Sequence, residues 1–215
     1  MENPALKHFV ASFGRELLLA QVLIRRAASG YELRHCDDRA AGLESLRVLA
    51  LNDARALAQH TSAGAFRPLK SAPNLQTGWR IEAADDTELE IALNHLYPGA
   101  IADWHAAQAA KPPVTDYREF TNRQSGMYRV TAKLSDAQVA EVVKNTCNKT
   151  LCLKQRLWTA PGLEADSAAE KSLIPCLEPC AILLEAARQT MRTDQREKQG
   201  VPGLSQKLVP EPESG

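Results

Sequence analysis

The spacing of apolar residues changes along the chain, and each period predicts a different element. From Pro4 to Ala28 apolar residues cover a wide face and include the run LLLAQVLI, which predicts one buried amphipathic helix ending at Ser29-Gly30. YELRHC (Tyr31–Cys36) alternates apolar and polar positions, the period of a half-buried strand. Asp37 and Asp38 suit a helix start, and Leu43, Leu46, Leu49 and Leu57 predict a helical stretch to about His60. The segment SAGAFRPLKSAPNL (Ser62–Leu75), rich in breaking residues, predicts a domain boundary.

Beyond it, Trp79-Arg80-Ile81 predicts a strand, and Asp85-Asp86-Thr87 precedes the helix ELEIALNHLY. Pro98-Gly99 ends that helix, and the next carries Ile101 and Trp104 on one face. Asp116 stands three residues before Glu119, a helix start. Ser135 stands three before Gln138, a capping box opening a helix from Asp136 to about Lys144. The expected fold is mainly α, an α+β arrangement with a few short strands. Its expected divisions are residues 1–74, residues 75–195 and a disordered polar tail, 196–215, holding Gly200, Pro202, Gly203, Pro210 and Pro212.

Composition narrows the function. Aromatic residues make up only 5% of the chain, which favours helices over an all-β sandwich. The 26 basic and 26 acidic side chains balance, which argues against a nucleic-acid or membrane-surface partner. LLLAQVLI is too short to span a bilayer. Lys7, His8, Arg15 and Glu16 interrupt any secretory signal, so the expected location is the reducing cytoplasm. No Gly-rich phosphate loop, G-x-S-x-G or H-E-x-x-H is present, so no catalytic constellation is assigned.

The chemistry lies in four cysteines of the last third. Cys147 and Cys152 form a C-x4-C pair, Cys176 and Cys180 a C-x3-C pair, and 23 residues separate the pairs. In a reducing compartment such pairs are metal ligands or redox groups before they are structural disulfides. Four thiolates suit tetrahedral zinc or an iron–sulfur cluster, and both spacings lie within the zinc range. The neighbours favour a cluster: Leu151, Leu153, Leu177 and Ile182 offer an apolar shell, and Lys149, Lys154 and Arg156 offset charge. Pro179 fits a first helical position, placing Cys180 in the first turn of the last helix. Cys36, in the predicted strand, is expected to be a buried free cysteine standing apart. His95 and His105 read as core-edge or surface residues, and Arg118, Arg123 and Arg129 as an ordinary solvated face.

LYPGAIADW (Leu96–Trp104), RQSGMYRV (Arg123–Val130), CLKQRLW (Cys152–Trp158) and IPCLEPC (Ile174–Cys180) together resemble the [4Fe–4S]-binding C-terminal region of bacterial CbiX-like chelatase proteins, CbiX being a sirohydrochlorin cobaltochelatase. The resemblance covers about Trp79 to Arg192. GYELRH (Gly30–His35) and GAFRPLKSAPNLQTGW (Gly64–Trp79) resemble the stabilising portion that precedes it. It implies that Cys147, Cys152, Cys176 and Cys180 hold a [4Fe–4S] cluster, with zinc the alternative cofactor. These residues leave no room for the chelatase-like domain, so chelatase activity is not carried over. The implied function is electron transfer or an accessory role in cobalamin- or sirohaem-type metal insertion, with a chelatase or redox protein as partner. The alternative is a non-redox interaction module with a structural zinc or cluster.

Overall fold

The structure is a computed structural model that describes residues 3–60, 63–66, 72–108, 114–167 and 174–198. Helix α1 (Pro4–Ala11) starts at Asn3, whose side chain accepts the Ala5 and Leu6 N–H groups. The helix ends at Ser12, so the single helix expected over 4–28 does not form. Glu16–Leu19 (β1) and Val22–Arg26 (β2) instead make an antiparallel hairpin pairing Glu16 with Arg25 and Leu19 with Val22. Ala20 turns the chain with a φ of +50°. A short apolar run carries no decisive period. Here the partner strand decides: Tyr31–His35 (β3), a strand where the sequence predicts one, pairs Leu33 with Ile24, and both are fully buried.

The helix expected up to His60 is replaced by short 3-10 turns, strand β4 (Arg47–Leu49) and a brief α2 (Ala54–Gln59). Strand β5 (Trp79–Ala83) then enters between β3 and β4, giving the order β1-β2-β3-β5-β4. It runs antiparallel to β3 and parallel to β4, opposing Ile81 to both Leu33 and Leu49. Gly30, at φ +85°, makes the turn beside β5. A Cβ there would lie 2.1 Å from the Ala83 carbonyl oxygen. Gly30→Ala is expected to cost roughly 2–3 kcal/mol through strain and displacement of β5, read from the urea midpoint.

Helices α3 (Asp86–Leu96), capped by Asp85, and α4 (Ala100–Gln108) follow as predicted. Leu89, Leu93, Leu96, Ile101 and Trp104 complete one core with Phe9, Ile24, Leu33 and Ile81. The strand and helices after residue 74 cover the same sheet as those before it.

The second half is helical. It comprises α5 (Tyr117–Asn122), a 3-10 segment at Gly126–Lys133, α6 (Asp136–Thr146) and α7 (Ala181–Lys198). Asp116 caps α5, and Ser135 with Gln138 forms the expected capping box on α6. A minimal parallel pair, β6 (Gln155–Arg156) and β7 (Pro175–Cys176), crosses this half. Tyr117, Val139, Val143, Trp158, Leu183 and Ala187 form its core. The whole is the mainly α arrangement with short strands that the sequence predicts. Helix α7 continues through Arg196 to Lys198, into the segment expected to be a disordered tail. The remainder of that expectation, 199–215, lies outside the described residues. Among the described residues no helix is long and apolar enough to cross a membrane.

Candidate metal centre

Helix α6 delivers the first cysteine. Cys147 occupies its C-cap, with its N–H bonded to Val143 O at 2.8 Å. The chain then folds around Asn148. Its side-chain oxygen accepts the Thr150 and Leu151 N–H groups at 3.1 and 3.2 Å, and its amide donates to Asn145 O at 2.8 Å. The Cys152 N–H returns to Asn148 O at 2.9 Å, so the C-x4-C loop is one hydrogen-bonded turn.

The first half of the molecule holds this turn from outside. Asn74 Nδ2 donates to Thr150 O at 2.8 Å and to Lys149 O at 3.3 Å, and the Leu153 N–H bonds Ala72 O at 2.8 Å. Gln21, at the β1–β2 turn, fixes Asn74 in turn: its amide nitrogen donates to Asn74 Oδ1 at 3.1 Å, and its oxygen accepts Leu75 N–H at 2.8 Å.

Cys176 sits in β7, where its carbonyl accepts the Leu157 N–H at 3.0 Å. Cys180 lies immediately before α7 and its carbonyl accepts the Leu184 N–H at 3.0 Å. It is therefore the cap of that helix rather than a first-turn residue, and Pro179 precedes the cap instead of opening the helix. Cys147, Cys176 and Cys180 pack against the second core, whereas Leu153 and Ile174, each beside a site cysteine or its neighbour, pack with the first. The site lies at the junction of the two cores.

The four thiols influence one another electrostatically. Burial first, and then charge on Cys176, Cys180 and Cys152, push the Cys147 thiol up to about 12, while Arg156 opposes. Burial pushes Cys176 up to about 11, opposed by the Trp158 N–H and by Lys154. Lys154, itself nearly buried, bonds Asp103 of α4 at 2.9 Å and is held in its charged form by that carboxylate and by Cys176 and Cys152, against desolvation. The Lys154 and Arg156 charges expected from the sequence are thus in place. Lys149 instead bonds Lys154 O at 2.7 Å, and Leu151, expected in an apolar shell, is 56% exposed.

No three of these Sγ atoms lie within 4.8 Å of one another among the described residues. A zinc tetrahedron with Zn–S of about 2.3 Å would hold its sulfurs roughly 3.8 Å apart. Sulfurs on a cubane cluster would stand further apart than that, because each binds a different iron. Free of cluster, the raised thiols are neutral in the fold and titrate from an ordinary value of 9.0 when unfolded. Their contribution to stability is full below about pH 9 and is lost as pH rises toward about 12. Cluster-free protein is expected to lose stability across that window, and loaded protein to lose less if these thiols are its ligands. Denaturation midpoints at stepped pH check this.

The other candidates stand elsewhere. Cys36 follows β3 and is half-buried rather than buried, close to His35 and Asp37. His35 Nδ1 already accepts the Asp37 N–H at 3.1 Å. Arg118 pairs with Asp136, and Arg123 with Glu119 at 3.6 Å, which fits the solvated face expected for them. His95 Nδ1 meets Leu51 O at 2.8 Å. Trp158, Asp103 and Asn74 are site residues that the sequence did not single out.

Two family models match this chain in tandem. Residues 5–108 match the DR2241 stabilising domain, and residues 109–189 match the 4Fe-4S iron–sulfur cluster binding domain. The second match gives the class: an iron–sulfur protein whose cofactor is a [4Fe–4S] cluster, with a region similar to the stabilising domain ahead of it. The particular solved structure it resembles is DR2241 from Deinococcus radiodurans, described as a multi-domain protein with structural similarity to chelatases and with two additional novel domains. The similarity has a TM-score of 0.70 and 26% identity, covering 88% of this chain and 40% of that one. This chain therefore spans less than half the length of that protein. No curated protein matches it.

Proposed function

We propose that Cys147, Cys152, Cys176 and Cys180 ligate the [4Fe–4S] cluster, and that the protein is an electron-transfer or accessory component of tetrapyrrole metal insertion, of cobalamin or sirohaem type. The carrying observation is that Cys147, Cys176 and Cys180 pack on one core beside the Cys147–Cys152 turn, with the Trp158 N–H on Cys176 Sγ at 3.4 Å. When bound, the cluster supplies a one-electron couple. The chain's own residues do the rest. Asn148 and the β6–β7 pair hold the two cysteine loops in register, and Trp158 closes one side against water. The two cations balance the thiolate charge. Similarity to a protein itself described as chelatase-like supports a tetrapyrrole setting and a chelatase or redox protein as partner.

A second reading, a structural cluster without redox work, is favoured by one observation: the C147–C152 turn bonds directly to residues 72–75 of the first half. Anaerobic redox titration separates the two. Brown protein with about four irons and four sulfides per chain that reduces and reoxidises reversibly supports electron transfer. Equal iron content without reversible reduction supports the structural reading.

A further inference from the structure

We propose that Trp158 and Lys154 act as positioning residues that raise the reduction potential of the cluster through the Cys176 sulfur. This rests on the ligand reading above. Trp158 is fully buried in the second core, and its Nε1 lies 3.4 Å from Cys176 Sγ. An indole N–H can only donate, so the contact is an N–H···S hydrogen bond directed at the ligand. The guanidinium of Arg156 stacks 5.2 Å from the indole centroid, and Arg156 itself is tied to the Trp158 carbonyl. The Arg156 contact and the surrounding core hold the ring in place.

Lys154 stands two residues after Cys152, and its charge opposes the rise of the Cys176 thiol. Its side chain is 15% exposed and its ammonium is anchored on Asp103 of α4 at 2.9 Å. In so enclosed a place the ammonium is weakly screened. One electron passes from a reductant to the ligated cluster, the reductant is oxidised by one electron, and no bond forms or breaks. The negative charge gained is shared with the thiolate sulfurs, and a donor N–H and a cation beside one of them favour the reduced state. The two groups therefore make the cluster easier to reduce than its ligands alone would.

The test is Trp158→Phe, which keeps a ring and removes the N–H, alongside Lys154→Met, which keeps the chain length and removes the charge. Each is reconstituted anaerobically, assayed for iron and sulfide, and titrated with dithionite under EPR. A variant with full iron and sulfide is expected to have a more negative midpoint. A shift of about tenfold in the reduction equilibrium corresponds to about 59 mV for a one-electron couple. A midpoint equal to or more positive than wild type in either fully loaded variant overturns the proposal. Loss of the cluster in Trp158→Phe assigns that residue a structural role, overturning its part, and Lys154→Met then decides for the cation. Wild-type protein that takes up no iron or sulfide overturns the ligand reading instead, whatever the variants do.

Discussion

Cys176→Ser is expected to abolish cluster binding and to loosen the junction between the two cores. Cys176 is fixed by the β6–β7 pair, and its neighbour Ile174 lies fully buried in the first core. A cofactor bound only by the folded state adds its binding free energy to folding, so losing a ligand removes that contribution. For a cluster held at about a thousand times its dissociation constant the loss is about 4 kcal/mol. Hydrogen exchange should accelerate most in the C147–C152 turn and at the start of α7, then at residues 72–75, and least in β2 and β3. Cys180→Ser should behave alike, whereas Cys36→Ser should keep all its iron. Full iron in Cys176→Ser, or none in Cys36→Ser, would reverse the ligand assignment.

Arg156→Met is expected to be the most destabilising change that leaves every cysteine in place. The side chain is 7% exposed and donates to the carbonyls of Trp158 and Glu164 while pairing with Asp166 at 3.4 Å. Removing it leaves two carbonyls without their donor and a half-buried carboxylate short of its cation. Breaking a fully buried pair costs about 3–5 kcal/mol, and because Asp166 is partly solvated the lower end, about 3 kcal/mol, applies. Urea denaturation of the cluster-free variant gives the number. A change under about 1 kcal/mol would mean that Asp166 and its turn are held by the Arg156 N–H and Lys149 alone.

Local chemistry was legible in the sequence where one residue and its near neighbours decide it. Asp116 and Ser135 cap helices where their spacing predicts, and the alternating YELRH forms β3. The apolar run Leu17–Ile24 was not legible, because helix and strand bury it equally well and the choice falls to β3, its pairing partner. The place of β5 was not legible for a related reason: it lies after a loop rich in breaking residues yet inserts between β3 and β4. At the site the cysteine pairs and the nearby cations could be seen in the chain. The groups that aim at them could not, since Trp158 stands 18 residues from Cys176, Asp103 stands 51 from Lys154 and Asn74 stands 76 from Thr150. Such contacts are made by packing, and no local period announces them.

The tie between the end of α6 and the start of α7 also matters to the unfolded chain. If the four cysteines ligate the cluster as proposed, the stretch from Cys147 to Cys180 stays a closed loop even after its helices melt. For a loop of roughly 30 residues, closure removes on the order of 3–4 kcal/mol of conformational entropy from the denatured ensemble, by the reasoning applied to disulfides. A chain that melts with its cluster intact thus keeps the two helix ends paired and starts refolding from a shortened search. A chain that has lost its iron must find that encounter again. On that ligand assignment, reversible refolding is expected to follow survival of the cluster rather than the melting of the helices.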